Sequence, residues 1–600
     1  MDAAPQSSSP NPQPPPTLVD RIAKHLSAIY ENADHTELAR RLILAFDPDA
    51  SGESSAAWNL PAERPAPTRY RESDILLLTY ADSICSEGQP PLKTFKQFID
   101  QWVGDAVSTI HLLPFFPYSS DDGFAVVDYE HVRRDLGSWD EIEALAQSHE
   151  LMFDIVVNHV SSKHAWFQQF LSGEEPGKDY FLTVNPQTNL SDVVRPRTNP
   201  LLRPTPTPQG LAHVWCTFSH DQVDLNFSNP DVLVEMVGVV GRYVRHGASI
   251  LRLDAIAYLW KQIGTSCIHL PQTHEIVRLM RTLLDHLSPG TRLITETNVP
   301  NNENLSYFGN RNEAHIIYNF SLAPLIVHAL LSGQSQYLQR WMRGMPPAPV
   351  GCTYLNFTAS HDGIGMRPAE GLLDDSEQQR VVDAIRSFGG LISTRQMPDG
   401  SERIYELNIS FFDALKGTFS GTDSLQVERF LCSQTIAMGI EGIPAIYIHS
   451  LLATHNDFDG VRKTGRNRTI NRHRWDHADL MGRLNDPQSD TARVHSELIR
   501  RLRIRRNQPA FSPDATQFTL ILENHFFGFW RQSTDRRQSV FAVHNLTGQI
   551  QSLSLEDLNL TSTDQWFDLI GGTTMPGMYE SIDVQPYGCL WISNHDGVEP

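Results

Sequence analysis

The stretch GASILRLDAIAY, residues 247–258, decides the fold and carries the residue on which the predicted chemistry depends. Its apolar, β-branched run is typical of a strand buried on both faces. Residues two apart in a strand project to the same face, so Arg252 and Asp254 point together, away from Leu251 and Leu253. A guanidinium beside a carboxylate favours the ionised form, and we therefore expect Asp254 to act as a nucleophile.

A second strand, LITETN (293–298), ends at Glu296. Two carboxylates at the ends of different strands form the pattern that a glycosidic-bond enzyme needs.

Short apolar runs like these recur along the chain and are separated by helical stretches such as 230–247 and 274–287. The candidate strands span residues 74–82, 109–116, 151–158, 249–256, 292–297, 314–321, 353–361 and 443–450. Eight strands alternating with helices predict an α/β fold, a (β/α)8 TIM barrel.

The remaining segments give the predicted domain organisation. Residues 1–17 are polar and proline-rich, which predicts a disordered tail, and 18–68 predict a helical extension followed by a linker. The barrel takes 69–509, with long insertions at 162–229 and 363–440 after strands three and seven. Short alternating strands in 510–600 predict a C-terminal β-sandwich domain.

Composition excludes several functions. With 49 basic and 70 acidic residues the net charge is −21, which argues against nucleic acid as a partner. No run approaches the roughly 18 apolar residues of a membrane span. The six cysteines form no CxxC pair, so we expect no zinc site and a reducing, cytoplasmic location.

Charged and polar residues gather at the ends of four predicted strands, where burial is costly unless they are paired. These residues are Asp154, Asn158 and His159 after strand three, Arg252 and Asp254 on strand four, Glu296 after strand five, and His361 and Asp362 after strand seven. One such residue alone would be interpreted as a structural ion pair, but four groups at the catalytic end of a barrel predict an active site.

These four segments resemble the signature regions of the α-amylase superfamily, glycoside hydrolase family 13. The resemblance implies that Asp254 is the nucleophile, Glu296 the general acid/base and Asp362 a third carboxylate that holds sugar hydroxyls. It also implies that Arg252, His159 and His361 position the nucleophile and the glucosyl ring. A retaining mechanism requires carboxyl groups about 5–5.5 Å apart.

Further motifs resemble the sucrose-phosphorylase subgroup: PFFPYSSDDGFAVVDY (114–129), VRPRTNP (194–200), KQIGTSC (261–267), SHDGIG (360–365), RIYELN (403–408) and GRNRTINRH (465–473). By this resemblance Asp121, Phe124, Gln222 and Arg468 bind the glucose unit. Tyr405 and Glu406 would lie on a loop that contacts phosphate or acceptor. Sucrose phosphorylases usually carry Gln at the position of Glu406, which argues against sucrose as the substrate.

A phosphorylase must bind an anion where a hydrolase places water. Arg195 and Arg197 lie on the insertion after strand three, and the resemblance implies that they bind phosphate or the acceptor. A denser basic cluster at 462–474 follows strand eight, where barrels often bind phosphate. Its alternative interpretation is a solvated surface patch.

The extension at 18–46 and the segments DQVDLN, TRLITETNVP and LNFTASHDGIGMRPAEGLL look most like glucosylglycerate phosphorylases. The resulting hypothesis is phosphorolysis of 2-O-α-D-glucosylglycerate to α-D-glucose 1-phosphate. Sucrose or sucrose 6′-phosphate phosphorolysis, and a non-catalytic sugar-binding protein, are the alternatives.

The resemblance implies no cofactor and no metal, with inorganic phosphate as a co-substrate. Amylases often hold calcium through an Asn at the position of Asn158, but here we expect that amide to orient His159. The expected partners are a small glucoside and phosphate. Whether the chain forms a homodimer, and what residues 18–46 do, stay open.

Overall fold

Eight parallel strands close into a barrel in the computed structural model, which describes residues 16–50, 66–396 and 401–595. In chain order the strands are β1 (Leu76–Thr79), β2 (Thr109–Leu112), β3 (Glu150–Val156), β4 (Ala248–Asp254), β5 (Arg292–Thr295), β6 (Ile316–Tyr318), β7 (Thr353–Phe357) and β8 (Ile443–Tyr447). Each pairs with its neighbours in sequence, and β8 pairs with β1. The predicted barrel is therefore confirmed.

Helices cover the outside of the barrel, because strands buried on both faces need apolar partners there. Those that follow successive strands are Pro91–Phe98, Trp139–Ala146, Pro230–Arg245, Pro271–Leu287, Asn301–Leu305, Leu322–Ser332 with Gln336–Gly344, Gln426–Gly439 and Asp490–Arg505. The segment after β8 contains three more, Ile448–Leu451, Phe458–Thr464 and His477–Leu484.

The insertion after β3 folds back onto the barrel mouth. It contains a helix, Ala165–Ser172, and an antiparallel hairpin of Leu202–Thr207 with Gly210–Trp215. A short strand, Gln222–Asp224, then pairs with His159–Ser161 just beyond β3. This pairing brings a residue more than 60 positions away in sequence next to His159.

The insertion after β7 supplies a second wall of the mouth. It contains a three-stranded antiparallel sheet of Ile364–Gly365, Glu402–Asn408 and Leu391–Gln396, and the helix Asp375–Ser387. The short helix Phe411–Ala414 follows.

The predicted N-terminal extension forms two helices, Leu18–Ile29 and His35–Phe46, which pack against the barrel helices Pro230–Arg245 and Pro271–Leu287. Contact with the barrel is close: a Cβ at Gly241 would lie 2.0 Å from the Phe46 carbonyl oxygen. The Tyr30 hydroxyl donates to the Phe227 carbonyl at 2.9 Å. The predicted tail up to residue 15 and the linker at 51–65 lie outside the described residues.

The C-terminal part is antiparallel. A six-stranded sheet contains Thr516–Thr519, Phe526–Gln532, Ser539–Asn545, Cys589–Ser593, Phe567–Asp568 and Thr573–Thr574, and Gln551–Ser554 pairs with Ser581–Val584. A separate apolar core that includes Phe541, Leu555 and Ile592 lies here. Across the described ranges, no helix is both long and apolar enough to cross a membrane.

Candidate active site

Arg252 organises the site at the end of β4. Its guanidinium Nη1 donates to Asp254 Oδ1 at 2.8 Å and also to Asp154, while Nη2 lies 4.0 Å from Glu296 Oε2. The strand register explains this arrangement, because Asp154 on β3 is the direct neighbour of Arg252 on β4. His111 on β2 extends this hydrogen-bond network, with Nε2 2.8 Å from the second oxygen of Asp154.

Glu296 follows β5 and approaches β4 through the backbone. The N–H group of Ala255 donates to Glu296 Oε2 at 2.9 Å. Ala255 has φ = 50°, an uncommon left-handed conformation for a residue with a side chain. Such local strain directly after Asp254 is typical of a functional site.

Burial changes the protonation expected from the sequence. It raises the pKa of Asp254 well above its usual range; Arg252 opposes this effect and Glu296 adds to it. Burial also raises the pKa of Glu296. Because Arg252 donates directly to Asp254 and only approaches Glu296, we infer that a proton shared by the pair resides on Glu296.

Asp362, after β7, is surrounded by cations. Burial opposes its ionisation, but the guanidinium groups of Arg468 and Arg472, together with His361, hold the pKa of Asp362 well below its usual range. Arg468 Nη1 lies 2.5 Å from Asp362 Oδ1. The pocket therefore combines one firmly ionised carboxylate with two whose pKa values are raised, a contrast suited to acid/base work.

The opposite wall of this pocket comes from the segment after β2 and the first insertion. Gln222 Nε2 donates to Asp121 Oδ2 at 3.1 Å and lies 3.1 Å from His159 Nε2. The Phe124 ring stacks on His361 with a centroid distance of 4.9 Å. We call the space bounded by Asp254, Glu296, Asp362, Asp121 and Phe124 the carboxylate pocket.

Glu406 lies on the strand Glu402–Asn408, and its carboxylate binds Arg468. Arg468 Nε donates to one oxygen at 2.9 Å and Nη2 to the other at 2.8 Å. Through this bidentate pair Glu406 shares Arg468 with Asp362, on the side of the carboxylate pocket. Its predicted contact with phosphate or acceptor stays a prediction.

Arg195 and Arg197 differ from the other arginines of the mouth. Neither forms an ion pair with a carboxylate in any of the three described ranges. Arg197 stacks on the ring of Tyr405, with 5.3 Å between Cζ and the ring centroid. Burial raises the pKa of Tyr405, and the charge of Arg197 opposes that effect.

The basic cluster at 462–474 has a different arrangement. Its arginines pair with carboxylates: Arg462 with Asp459, Arg466 and Arg472 with Asp122, Arg468 with Asp362 and Glu406, and Arg474 with Asp82. Guanidinium groups already neutralised in this way are poorly suited to hold an added anion. The insertion arginines are the better candidates.

Asn158 has the predicted contact with His159, since its amide nitrogen lies 3.2 Å from His159 Nδ1. The other polar groups around it hold a lysine. Lys261 Nζ lies 2.7 Å from Asn158 Oδ1 and 2.7 Å from Asp224 Oδ2. The oxygen atoms that would suit a cation therefore already bind an ammonium group.

Sequence reasoning missed Lys261, Asp224 and Asp122. A lone lysine in the segment after β4 is normally interpreted as solvated, and the sequence held no sign of its buried partner. Asp122 stands next to the predicted Asp121, and two adjacent acids before a glycine could have drawn attention to it.

The fold and the site define a class: a glycosidic-bond enzyme built on an amylase-type barrel. The alpha amylase catalytic domain family matches residues 104–362. The glucosylglycerate phosphorylase of Spirochaeta thermophila is 39% identical over 96% of this chain and 98% of its own length. That of Escherichia coli is 40% identical over 87% of this chain and 92% of its own. The chain belongs to the α-amylase superfamily and, within it, to the phosphorylases that include these two enzymes.

A solved structure agrees with this assignment. Sucrose 6F-phosphate phosphorylase from Thermoanaerobacter thermosaccharolyticum superposes with a TM-score of 0.69 at 25% identity, covering 79% of this chain and 94% of that one. The resemblance predicted from the motifs is confirmed, and the chain is an enzyme, a phosphorylase of the glycosyltransferase type.

Proposed function

We propose that this enzyme transfers an α-glucosyl group from 2-O-α-D-glucosylglycerate to inorganic phosphate, giving α-D-glucose 1-phosphate and glycerate. The names of the relatives at 39–40% identity support this donor. No cofactor takes part in the proposed reaction.

In the first step a carboxylate oxygen of Asp254 attacks C1 of the glucosyl unit, and the bond from C1 to the glycerate oxygen breaks. Glu296 gives its proton to that oxygen. The raised pKa of Glu296, caused by burial, supports this role. The product is a glucosyl ester on Asp254 and free glycerate.

In the second step a phosphate oxygen attacks C1, Glu296 takes up the proton from phosphate, and Asp254 leaves as a carboxylate. The configuration at C1 is retained after two inversions. Asp362 and Arg468 would hold hydroxyls of the sugar, with Asp121, Gln222, His159, His361 and Phe124 shaping its pocket.

One observation carries the choice of phosphate over water. Arg195 and Arg197 are guanidinium groups without a carboxylate partner among the described residues, in a protein of net charge −21. Burial lowers the pKa of Arg195, which is the cost of holding a cation there without a counter-ion. A phosphate or carboxylate ligand would neutralise these groups, whereas a water nucleophile would not.

Phosphate-dependent release of glucose 1-phosphate from glucosylglycerate, glucosylglycerol, sucrose and sucrose 6′-phosphate tests the proposal. We expect glucosylglycerate to give the highest kcat/KM. Preference for another glucoside would overturn the donor, and glucose release independent of phosphate would overturn phosphorolysis. Asp254→Ala should be inactive on every glucoside.

A further inference from the structure

A second cavity lies behind the carboxylate pocket, between the ends of β1 and β8 and the segment 457–474. Its volume is about 420 Å³, within the roughly 300–1,000 Å³ range of small-molecule sites. Tyr80, Tyr118, Arg133, His449 and Lys463 contribute to its wall. We call it the rear cavity.

Three polar atoms of residues that line the rear cavity have no hydrogen-bond partner within the described residues. They are the hydroxyl of Tyr80 and Nε2 of His449, in residues that are 8% and 3% exposed, and Nη2 of Arg472, whose side chain is 6% exposed. Buried polar groups are normally satisfied, so each has free capacity for a ligand hydroxyl. Aromatic rings together with carboxylates and cations suit a sugar better than an isolated anion.

Asp122 separates the two spaces. Its carboxylate binds Arg472 and lies 3.4 Å from Arg466, and both Asp122 and Arg472 line the rear cavity. On its other side Arg472 donates to the His361 carbonyl at 2.7 Å and lies 3.8 Å from Asp362. The Asp122–Arg472 pair is therefore a partition with one face toward the carboxylate pocket.

The backbone fixes this partition in an uncommon conformation. Asp121 and Asp122 have φ values of 54° and 48°, two consecutive left-handed residues that are not glycine. A Cβ at the following Gly123 would lie 2.8 Å from Pro114, so the turn is held tightly against the segment after β2. Strain of this kind persists where surrounding structure enforces it, commonly at functional sites.

Barrel geometry gives the direction of the bound sugar. In the closed order, β5 lies opposite β1, so Glu296 and the Tyr80 end of β1 stand on opposite sides of the mouth. The leaving group must lie beside Glu296, its proton donor. The far end of the glucosyl ring then faces β1 and β8, the partition and the rear cavity.

We propose that Asp122 determines donor length: with Arg472 it restricts the donor to a single glucosyl unit and closes off a cavity that would accept a second α-linked one. The inference rests on the proposed glucosyl transfer through Asp254. It adds a specificity residue that touches neither reacting carbon nor phosphate.

Fluoride release from α-glucosyl fluoride and α-maltosyl fluoride tests it without assuming the natural leaving group. Asp254 forms a bond to C1 as the C1–F bond breaks and fluoride departs, and phosphate then takes the glycosyl unit. Asp122→Gly removes the partition, and glycine favours φ near +48°. Asp122→Asn keeps the volume, tolerates the same φ and loses only the charge.

We expect the maltosyl-to-glucosyl ratio of kcat/KM to be lowest in the wild type, higher in Asp122→Asn, and raised at least about tenfold in Asp122→Gly. An unchanged ratio in either folded variant, or efficient use of α-maltosyl fluoride by the wild type, would overturn the partition. If the wild type released no fluoride from α-glucosyl fluoride, the proposed function itself would fail, and this inference with it.

Discussion

Arg197→Gln should shift the fate of the glucosyl ester on Asp254 away from phosphate and toward water. Arg197 stacks on the Tyr405 ring, 5.3 Å from its Cζ, and forms no ion pair with a carboxylate of the described chain, although its charge contributes to lowering the pKa of Asp121. A hydrogen bond from such a group to phosphate is charge-assisted and contributes about 1.5–3 kcal/mol. At about 1.4 kcal/mol per factor of ten, its loss lowers the attack of phosphate by about 10- to 150-fold.

The assay should measure how the ester divides between its two fates. With α-glucosyl fluoride as donor, the ratio of glucose 1-phosphate to glucose is followed as phosphate is varied, and its slope reports phosphate attack relative to water. Because both products come from the same ester, damage to the first step cancels. We expect the slope to fall by the factor given above.

Arg203→Gln is the matched control. Arg203 lies on the same insertion, but its Nη1 donates to the His220 carbonyl at 2.8 Å and its guanidinium stacks on Phe167. The slope of the product ratio against phosphate measured for Arg203→Gln should match that of the wild type. If Arg197→Gln releases fluoride normally and keeps a slope within about twofold of the wild type, the argument that unpaired arginines recruit phosphate is refuted.

Three further outcomes follow from the site. Lys261→Met should reduce the free energy of unfolding in denaturant by about 3–5 kcal/mol, because it leaves the buried carboxylate of Asp224 without its cationic partner. Adding Asp224→Asn to this variant should restore part of the lost stability. Equal stability of the single and the double variant would contradict this explanation. Burial raises the pKa of Glu296, so the group stays protonated to higher pH, and kcat/KM for the natural glucoside should fall only as pH rises through that raised value. With α-glucosyl fluoride, whose first step needs no proton, this alkaline decline should be much weaker, and Glu296→Gln should keep most of the kcat/KM for fluoride release, which reports that step alone; a pH profile identical for both donors would argue against Glu296 as the acid. Glu406→Gln should lower kcat/KM by about tenfold for glucosylglycerate and α-glucosyl fluoride alike, because its partner Arg468 acts on the glucosyl side. A loss seen only with glucosylglycerate would indicate that Glu406 acts on the acceptor side.

The strand ends of the barrel could be predicted from sequence because each is a local pattern. The alternation in SILRLD placed Arg252 and Asp254 on one face, and the register of β3 against β4 then put Asp154 beside Arg252. The order of the strands around the barrel then placed Glu296 near Asp254, because adjacent parallel strands end at the same rim. No long-range information was needed to bring Asp254 and Glu296 near one another.

The insertions limited what the sequence could predict. The contact of Glu406 with Arg468 joins residues 62 positions apart, and that of Lys261 with Asp224 depends on a strand that returns to His159. Neither follows from local periodicity. The raised pKa of Asp254 was missed for a related reason, since its first cause is burial by the whole mouth and its adjacent arginine only opposes it.

Charge in the carboxylate pocket also orders the two half-reactions. Before reaction, a phosphate dianion approaching C1 would meet the carboxylate of Asp254, which Arg252 binds, and those of Asp362 and Asp121, which lie near Arg468 and Arg472. In the proposed mechanism, forming the ester removes the negative charge of Asp254 while Arg252 keeps its positive charge. In that mechanism the field at C1 becomes more favourable to an anion only once the ester has formed, which favours phosphate in the second step over the first.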